Sequence, residues 1–91
     1  MLKFEWDDGK AAGNLREHGV SFDEAVSVFG DSLALTFSDT DHVDSEDRSR
    51  TFGTSSKGRV LVVIHTERRN NVRIISARKA TRHEKGIYQE G

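Results

Sequence analysis

Cations gather near the C-terminal end of the sequence, where an apolar run gives way to the start of a helix. Arg78, Lys79 and Arg82 follow the run at intervals of one to three residues. Thr81, with Glu84 three residues later, has the spacing of a capping box, which predicts that a helix begins there. The first-turn N–H groups and the dipole of such a helix favour an anion, and a guanidinium group matches two phosphate oxygens. The cluster therefore predicts a phosphate site.

A second polar group closes the preceding apolar run, in the order His65, Thr66, Glu67 and Arg68. Histidine is the usual general acid or base near neutral pH, and Glu67 and Arg68 add a carboxylate and a guanidinium beside it. These types make His65, Glu67 and Arg68 candidate catalytic residues. The alternative, which is the commoner case for one histidine on a strand, is that His65 is a structural residue.

Other catalytic arrangements are missing from the sequence. It has no cysteine, no Ser-His-Asp arrangement, no phosphate-binding glycine loop and no zinc-ligand spacing. The acidic segment 38–47 does not fit a calcium loop, which needs glycine at the sixth position and a late bidentate glutamate. Chemistry is therefore expected to use Arg, Lys, His, Glu and Tyr, with no metal or other cofactor. That set suits cleavage of RNA, whose 2′-hydroxyl is a built-in nucleophile.

Charge is divided unevenly along a chain whose formal net charge is −1. Residues 1–47 hold 3 Lys/Arg against 12 Asp/Glu, and residues 48–91 hold 11 against 3, so the halves carry −9 and +8. A basic half suggests a polyanionic partner, although the two halves could instead fold together and neutralise each other. The candidate RNA contacts in this half are Arg50, Arg73, Lys79, Arg82 and Tyr88. For Tyr88 the favoured alternative is docking of the last helix.

Hydrophobic periodicity and capping signals predict the order β-α-α-β-β-β-β-α. The predicted strands are Leu2–Trp6, Leu33–Phe37, Arg48–Thr54, Arg59–Thr66 and Val72–Ala77. The first predicted helix is Gly9–His18, capped by Asp7 or Asp8 and ended by Gly19. The second begins after Ser21 with a capping box to Glu24 and ends at Gly30, and the third is Arg82–Gln89 with an unfavourable Gly86 inside it.

The connections predict how these elements assemble. Segments 55–58 and 68–71 are of hairpin length, and Gly58, Asn70 and Asn71 tolerate the positive φ of tight turns, so the last strands should be antiparallel. Val60–Ile64 is apolar without alternation, which favours a central strand covered on both faces. The expected fold is a single α+β domain over residues 1–91, with two helices on one face of a curved sheet.

Targeting features are also missing from the sequence. No apolar run approaches the roughly 20 residues of a membrane span. The first ten residues carry Trp6, Asp7 and Asp8 and do not resemble a signal peptide. The expected location is the cytoplasm, with no membrane partner.

Two long segments resemble a known family. Phe4–Asp31 is similar to the opening of the BrnT toxins, and Leu61–Glu90 is similar to their close, so the resemblance extends over nearly the whole chain. The strings that carry it together include Trp6-Asp7, Lys10, Asn14, His18–Phe22, Glu24-Ala25, His65–Arg68 and Arg73–Arg78. The chain departs from the expected family pattern at Asp8, Glu17 and Gly86.

The resemblance implies a toxin of a type II toxin–antitoxin pair, with a RelE-like α+β fold and a mainly antiparallel sheet. It implies metal-independent cleavage of RNA and inhibition of translation. It also implies a hetero-oligomer with a BrnA-like antitoxin, whose ribbon-helix-helix portion binds operator DNA. The family positions that are chemically capable here are Lys10, His65, Glu67, Arg68 and Arg78. The competing hypothesis is a non-catalytic nucleic-acid-binding or co-repressor module that acts through the antitoxin.

Overall fold

The computed structural model describes residues 3–38 and 48–91. The strands are β1 (Lys3–Glu5), β2 (Leu35–Ser38), β3 (Arg48–Thr54), β4 (Val60–Arg68) and β5 (Asn71–Lys79). The helices are α1 (Asp8–His18), α2 (Phe22–Ser27), a 3₁₀ turn (Val28–Gly30) and α3 (Arg82–Glu90). The predicted order of elements is confirmed. Leu2 and most of the predicted acidic loop, residues 39–47, lie outside the described residues, whereas Ser38 ends β2.

The five strands form one sheet in the order β1-β5-β4-β3-β2. The pairings from β2 to β5 are antiparallel, as the short connections predicted. β1 instead pairs parallel with β5, through Phe4 and Val72 among others, so the expected mainly antiparallel sheet is in fact mixed. The chain can return in the parallel sense because α1, α2 and the other strands separate β1 from β5 in the sequence.

The central strand β4 is covered on both faces, as its unbroken apolar run predicted. Leu61 and Val63 face a core that includes Phe22, Val28 and Ile74. Val62, on the opposite face, joins a smaller cluster with Phe52 and Ala80, against which α3 packs through Ile87 and Tyr88. Helices α1 and α2 therefore cover one face of the sheet, and α3 covers part of the other.

Local capping chemistry sets the start and end of α1. Asp7 accepts a hydrogen bond from the Lys10 backbone N–H at 3.0 Å, so Asp7 rather than Asp8 is the N-cap. Gly19 ends the helix with φ +68°, in the left-handed region where glycine is favoured. Buried Asn14 joins the helix to the sheet, because its side chain donates to the Ala77 carbonyl at 2.8 Å and accepts from the Ala77 N–H at 3.0 Å.

The start of α2 corrects one prediction. Ser21 caps the Glu24 N–H at 3.0 Å as expected, but Glu24 does not complete a capping box. Its buried carboxylate instead accepts hydrogen bonds from the Arg59 guanidinium and from the Ser55 hydroxyl. These bonds lower the pKa of Glu24 and join α2 to the turn between β3 and β4.

Each of the two hairpin turns contains a residue that tolerates positive φ, Gly58 in one and Asn70 in the other. Gly58 has φ +76° in the β3–β4 turn. The β4–β5 turn is the pair Arg69 and Asn70, with φ +51° and +71°, rather than the two asparagines expected. Both flanking strands are longer than predicted, because pairing continues to Arg68 opposite Asn71. No helix within residues 3–38 and 48–91 is long and apolar enough to span a membrane.

Candidate nucleic-acid interface

One face of the sheet carries most of the arginines that were predicted to take part in catalysis or to contact RNA. Paired residues of neighbouring strands lie on the same face, and successive residues of one strand alternate between faces. The register therefore places a set of arginines on the face opposite α1 and α2, which we name the basic face. Its members are Arg48 and Arg50 on β3, Arg68 on β4, and Arg73 and Arg78 on β5.

A bulge in β5 keeps its arginines on this face. Ile64 pairs with Ser76, but the next residue, His65, pairs with Ile74, so Ile75 is an extra residue in β5. A bulge changes the alternation of the strand that contains it. As a result Arg73 and Arg78, five positions apart, are both on the basic face.

The Arg78 guanidinium is held in place by Glu84 of the first turn of α3. Nη1 donates to one carboxylate oxygen at 2.7 Å and Nη2 to the other at 2.9 Å. Glu84 also accepts from the Thr81 backbone N–H at 2.8 Å, while the Thr81 hydroxyl accepts from Glu84 N–H at 3.2 Å. The predicted capping box is therefore present. Its Glu84 carboxylate orients the Arg78 guanidinium and also caps the start of the helix.

The ion pair shifts the pKa values of both Arg78 and Glu84. The hydrogen bonds from Arg78, and then those from Thr81, lower the pKa of Glu84 to about 2, against the opposing effect of burial. The same pair raises the pKa of Arg78. Since 39% of the Arg78 side chain is exposed, a phosphate can approach a guanidinium whose orientation is already fixed.

A pocket of about 340 Å³ opens on the basic face between β2, β3 and α3. Its lining combines aromatic, aliphatic and polar side chains: Phe37, Arg50, Phe52, His83, Glu84 and Ile87. Arg50 contributes a buried Nε that has no hydrogen-bond partner among the described residues. Glu84 belongs both to this pocket and to the Arg78 pair, so the two features are contiguous.

Arg68 and Arg73 lie toward the other end of the basic face. Arg68 is exposed at the end of β4, where it lines a second pocket, of about 380 Å³, with Glu5, Arg69 and Asn71. Arg73 is partly buried, and its Nη1 lies 3.4 Å from the Glu5 carboxylate on β1. Arg68 is therefore accessible to a polymer, whereas Arg73 is partly neutralised.

His65 lies on the opposite face, beneath the helices. It is 6% exposed, its Nε2 is 2.7 Å from the Thr51 hydroxyl, and its ring meets the Phe29 ring edge-on at 4.9 Å. Burial lowers its pKa, and the nearby Glu67 carboxylate opposes that shift. The sheet separates His65 from Arg78, so the structure does not bring together the imidazole and the guanidinium predicted to share a site.

The remaining candidates are dispersed. Glu67 is exposed on β4, on the same face as His65, and Lys10 is exposed in the first turn of α1. Lys79 and Arg82 are exposed on either side of the capping box. The Tyr88 hydroxyl donates to Asp31 at 2.5 Å and lies 2.9 Å from the Thr54 hydroxyl, which is the docking contact favoured for this residue.

Of the six pocket residues, Arg50 alone was a predicted site residue, and the five that were not are Phe37, Phe52, His83, Glu84 and Ile87. His83 and Glu84 stood inside the capping signal, next to the predicted phosphate ligands, and could have been found there. Phe37 gave no such signal, because an aromatic residue on a predicted strand is usually core. Within residues 3–38 and 48–91, no three His, Asp or Glu side chains are grouped so that they could hold a metal ion.

Comparison with known proteins identifies the family. A model of the family described as "Ribonuclease toxin, BrnT, of type II toxin-antitoxin system" matches residues 6–84. The fold is similar to the crystal structure of the Brucella abortus ribonuclease toxin BrnT, with a TM-score of 0.69 and 21% sequence identity over 90% of this chain and 100% of that one. A search of curated proteins finds no match. Since the family model covers most of the chain, the protein belongs to the BrnT family of ribonuclease toxins of type II toxin–antitoxin systems.

Proposed function

We propose that this chain is a RelE-like, metal-independent endoribonuclease that cleaves RNA on the basic face and thereby inhibits translation. The observation that carries the proposal is that three adjacent strands present arginines on one face, beside a capped helix N-terminus. Family membership supports RNA as the substrate. A row of guanidinium groups suits a chain of phosphates, because each group can bind two oxygens of one phosphate.

The chemistry assigned to this face begins with the RNA itself. The 2′-hydroxyl attacks the adjacent phosphorus, its proton is removed, and the 5′-oxygen leaves as it receives a proton. Negative charge builds on the non-bridging oxygens in between, and donors fixed in advance stabilise it best. Arg78, oriented by Glu84, and the exposed Arg68 are the residues proposed for that role.

The basic face has fewer side chains suited to proton transfer than side chains suited to binding phosphate. His65 is buried on the other side of the sheet, and the low pKa of Glu84 makes that carboxylate a weak base. His83 is an exposed imidazole that lines the pocket beside Glu84. His83 is therefore the residue to which we assign proton transfer.

The deciding experiment is incubation of the purified, partner-free protein with a defined RNA in EDTA, followed by mapping of the ends. The expected products carry 2′,3′-cyclic phosphate or 3′-phosphate, because the nucleophile is the 2′-hydroxyl. Products with 5′-phosphate, or activity abolished by EDTA, would reject the mechanism. Retention of RNA without cleavage would instead favour the non-catalytic binding module.

We also propose that a BrnA-like antitoxin neutralises the protein in a hetero-oligomer and that operator DNA is bound through the antitoxin's ribbon-helix-helix portion. The basic face supports this, since an acidic or amphipathic segment laid over it would compete with RNA. Co-purification of the two chains, followed by RNA-binding measurements on the complex, tests the proposal. Undiminished RNA binding by the complex would show that the antitoxin binds elsewhere.

A further inference from the structure

The pocket beside Arg78 has the size and composition of a small-ligand site. Its volume of about 340 Å³ falls in the lower part of the range typical of ligand pockets, roughly 300–1,000 Å³. Two rings, Phe37 and Phe52, and the Ile87 side chain supply apolar surface, whereas Arg50, His83 and Glu84 supply polar groups. Such a mixture suits a flat, polar aromatic ligand.

Phe37 gives the pocket an exposed aromatic wall. Its side chain is 41% exposed although it lies on a strand, and its ring is 5.5 Å from that of Phe52, tilted by 58°. Phe52 is buried and packs against one side of the Phe37 ring. The Phe37 ring is therefore held in place while part of it stays exposed. Unstacked bases of single-stranded RNA bind to aromatic side chains presented in this way.

Arg50 gives the pocket a donor that lacks an acceptor. Its Nε is buried and has no hydrogen-bond partner within residues 3–38 and 48–91. A buried donor without a partner is costly, so a turn of the guanidinium that brings this donor to an acceptor on a ligand is favoured. Guanine presents two acceptors, O6 and N7, on one edge, which matches the arginine fork, whereas adenine presents a donor amino group in place of O6.

We propose that this pocket is a nucleobase subsite in which a guanine of the RNA stacks on Phe37 while Arg50 donates to its O6 and N7. This inference rests on the proposed function, because it takes RNA as the substrate. The subsite is contiguous with the Arg78–Glu84 pair through Glu84 itself. Occupation by guanine would therefore place the neighbouring phosphate close to the Arg78 guanidinium.

The first test uses the unaltered protein and a series of RNA heptamers. Each heptamer is uridine with 2′-fluoro sugars, which cannot be cleaved at the 2′ position, and carries one test base at its centre. We expect guanine and inosine, which share O6 and N7, to bind about 5- to 150-fold more tightly than adenine. We expect 7-deazaguanine, which lacks N7, to lose part of that preference. Equal binding of all four would overturn the subsite.

The second test separates stacking and base reading from phosphate binding. Phe37→Ala is expected to weaken binding of the guanine heptamer by about 5- to 150-fold. Phe37→Tyr is expected to restore most of that affinity. Arg50→Gln is expected to remove the guanine preference without changing the slope of log affinity against log salt. Leu33→Ala is the matched control, because Leu33 is 70% exposed just before the same strand and does not line the pocket.

The outcomes separate this inference from the proposed function. If the protein binds and cleaves RNA but Phe37→Ala binds like Leu33→Ala, the subsite is wrong and the nuclease stands. If Arg50→Gln flattens the salt slope instead, Arg50 contacts a phosphate and the subsite is again wrong. If no RNA is bound under any condition, both proposals fail. Thermal unfolding of each variant identifies any loss of fold, and the base series needs no variant at all.

Discussion

Glu84 holds both nitrogens of the Arg78 fork, at 2.7 and 2.9 Å, and at the same time completes the cap of the last helix. The last strand along the chain, β5, and the helix that follows it are thus joined by one carboxylate. Arg78 is oriented by this pair but also partly neutralised by it. A phosphate that binds Arg78 must therefore use its remaining N–H groups or compete with Glu84.

The pair should make stability depend on acid pH. The pKa of Glu84 falls from an ordinary 4.5 to about 2 in the folded protein, so its contribution is present above pH 4.5 and is lost as the pH falls toward 2. A shift of this size corresponds to roughly 3 kcal/mol, which screening of the partly exposed Arg78 reduces to about 1–2 kcal/mol. Glu84→Gln should lose that amount at pH 7 in urea unfolding, and the variant and parent should converge near pH 2. Glu90→Gln, at the exposed end of the same helix, should change stability by less than about 0.5 kcal/mol. A constant difference between parent and Glu84→Gln across this range would mean that the charge is not responsible.

Binding of RNA by the cation cluster should appear in its salt dependence. On single strands each phosphate contact contributes about −0.7 to the slope of log affinity against log salt. Arg78→Ala and Arg82→Ala should each make the slope shallower by about that amount, measured by fluorescence anisotropy in EDTA. Arg16→Ala removes an exposed cation from α1, on the other side of the sheet, and should leave the slope unchanged. Unchanged slopes for both cluster variants would assign Arg78 and Arg82 to structural roles.

Gly86 offers a stability test that is independent of RNA. It lies inside α3, and a Cβ added there meets no atom within 4 Å. Gly86→Ala should therefore stabilise the protein by up to about 1 kcal/mol, which raises Tm by about 4–8 °C in a domain of this size. At Gly53 the same change places a Cβ 2.7 Å from Val28 Cγ1, so Gly53→Ala should lower Tm. A Tm that falls in both variants would contradict the expected difference between the two positions.

Short-range chemistry explains why the ends of elements were predictable from sequence. Thr81 and Glu84 make the capping box that their spacing indicated. Asp7 caps the start of α1 and Gly19 caps its end, as their residue types suggested. These interactions join residues a few positions apart, so the sequence contains both partners. Glu24 shows the limit, because its box spacing was satisfied but a distant Arg59 bound the carboxylate instead.

Long-range relationships account for what the sequence could not predict. Alternation indicates which residues share a face, but it does not identify the partner strand, and so the parallel pairing of β1 with β5 was missed. Because β4 is apolar on both faces, no pattern in it indicated which face α1 and α2 would cover. His65 follows Leu61 and Val63 onto the covered face, so the sheet separates it from Arg78, a relationship that the sequence did not indicate.

Burial of His65 should produce a second pH dependence. Its pKa in the folded protein is lower than the ordinary 6.5, so the neutral ring is favoured by folding. Its contribution to stability is present above pH 6.5 and is lost as the pH falls through the lower, folded-state pKa. Between pH 7.5 and pH 5, the free energy of unfolding should therefore fall more in the parent than in His65→Gln. An identical profile for His65→Gln and the parent would show that His65 does not titrate in this range.

Catalysis should depend more on Arg68 and Arg78 than on His65. Loss of one donor that stabilises transition-state charge typically costs about 10²–10³ in rate, and both arginines are on the face where a polymer can bind. Arg68→Ala and Arg78→Ala should show losses of that order in an RNA cleavage assay, and reduced growth arrest in cells. His65→Gln should stay within about 10-fold of the parent once stability is matched by thermal melting, because its ring is beneath the helices, whereas His83→Gln should lose about 10²–10⁴ if it transfers a proton. If both arginine variants keep near-full activity while folded His65→Gln is inactive, the reaction runs on the helical side of the sheet, and charge stabilisation on the basic face is the wrong mechanism.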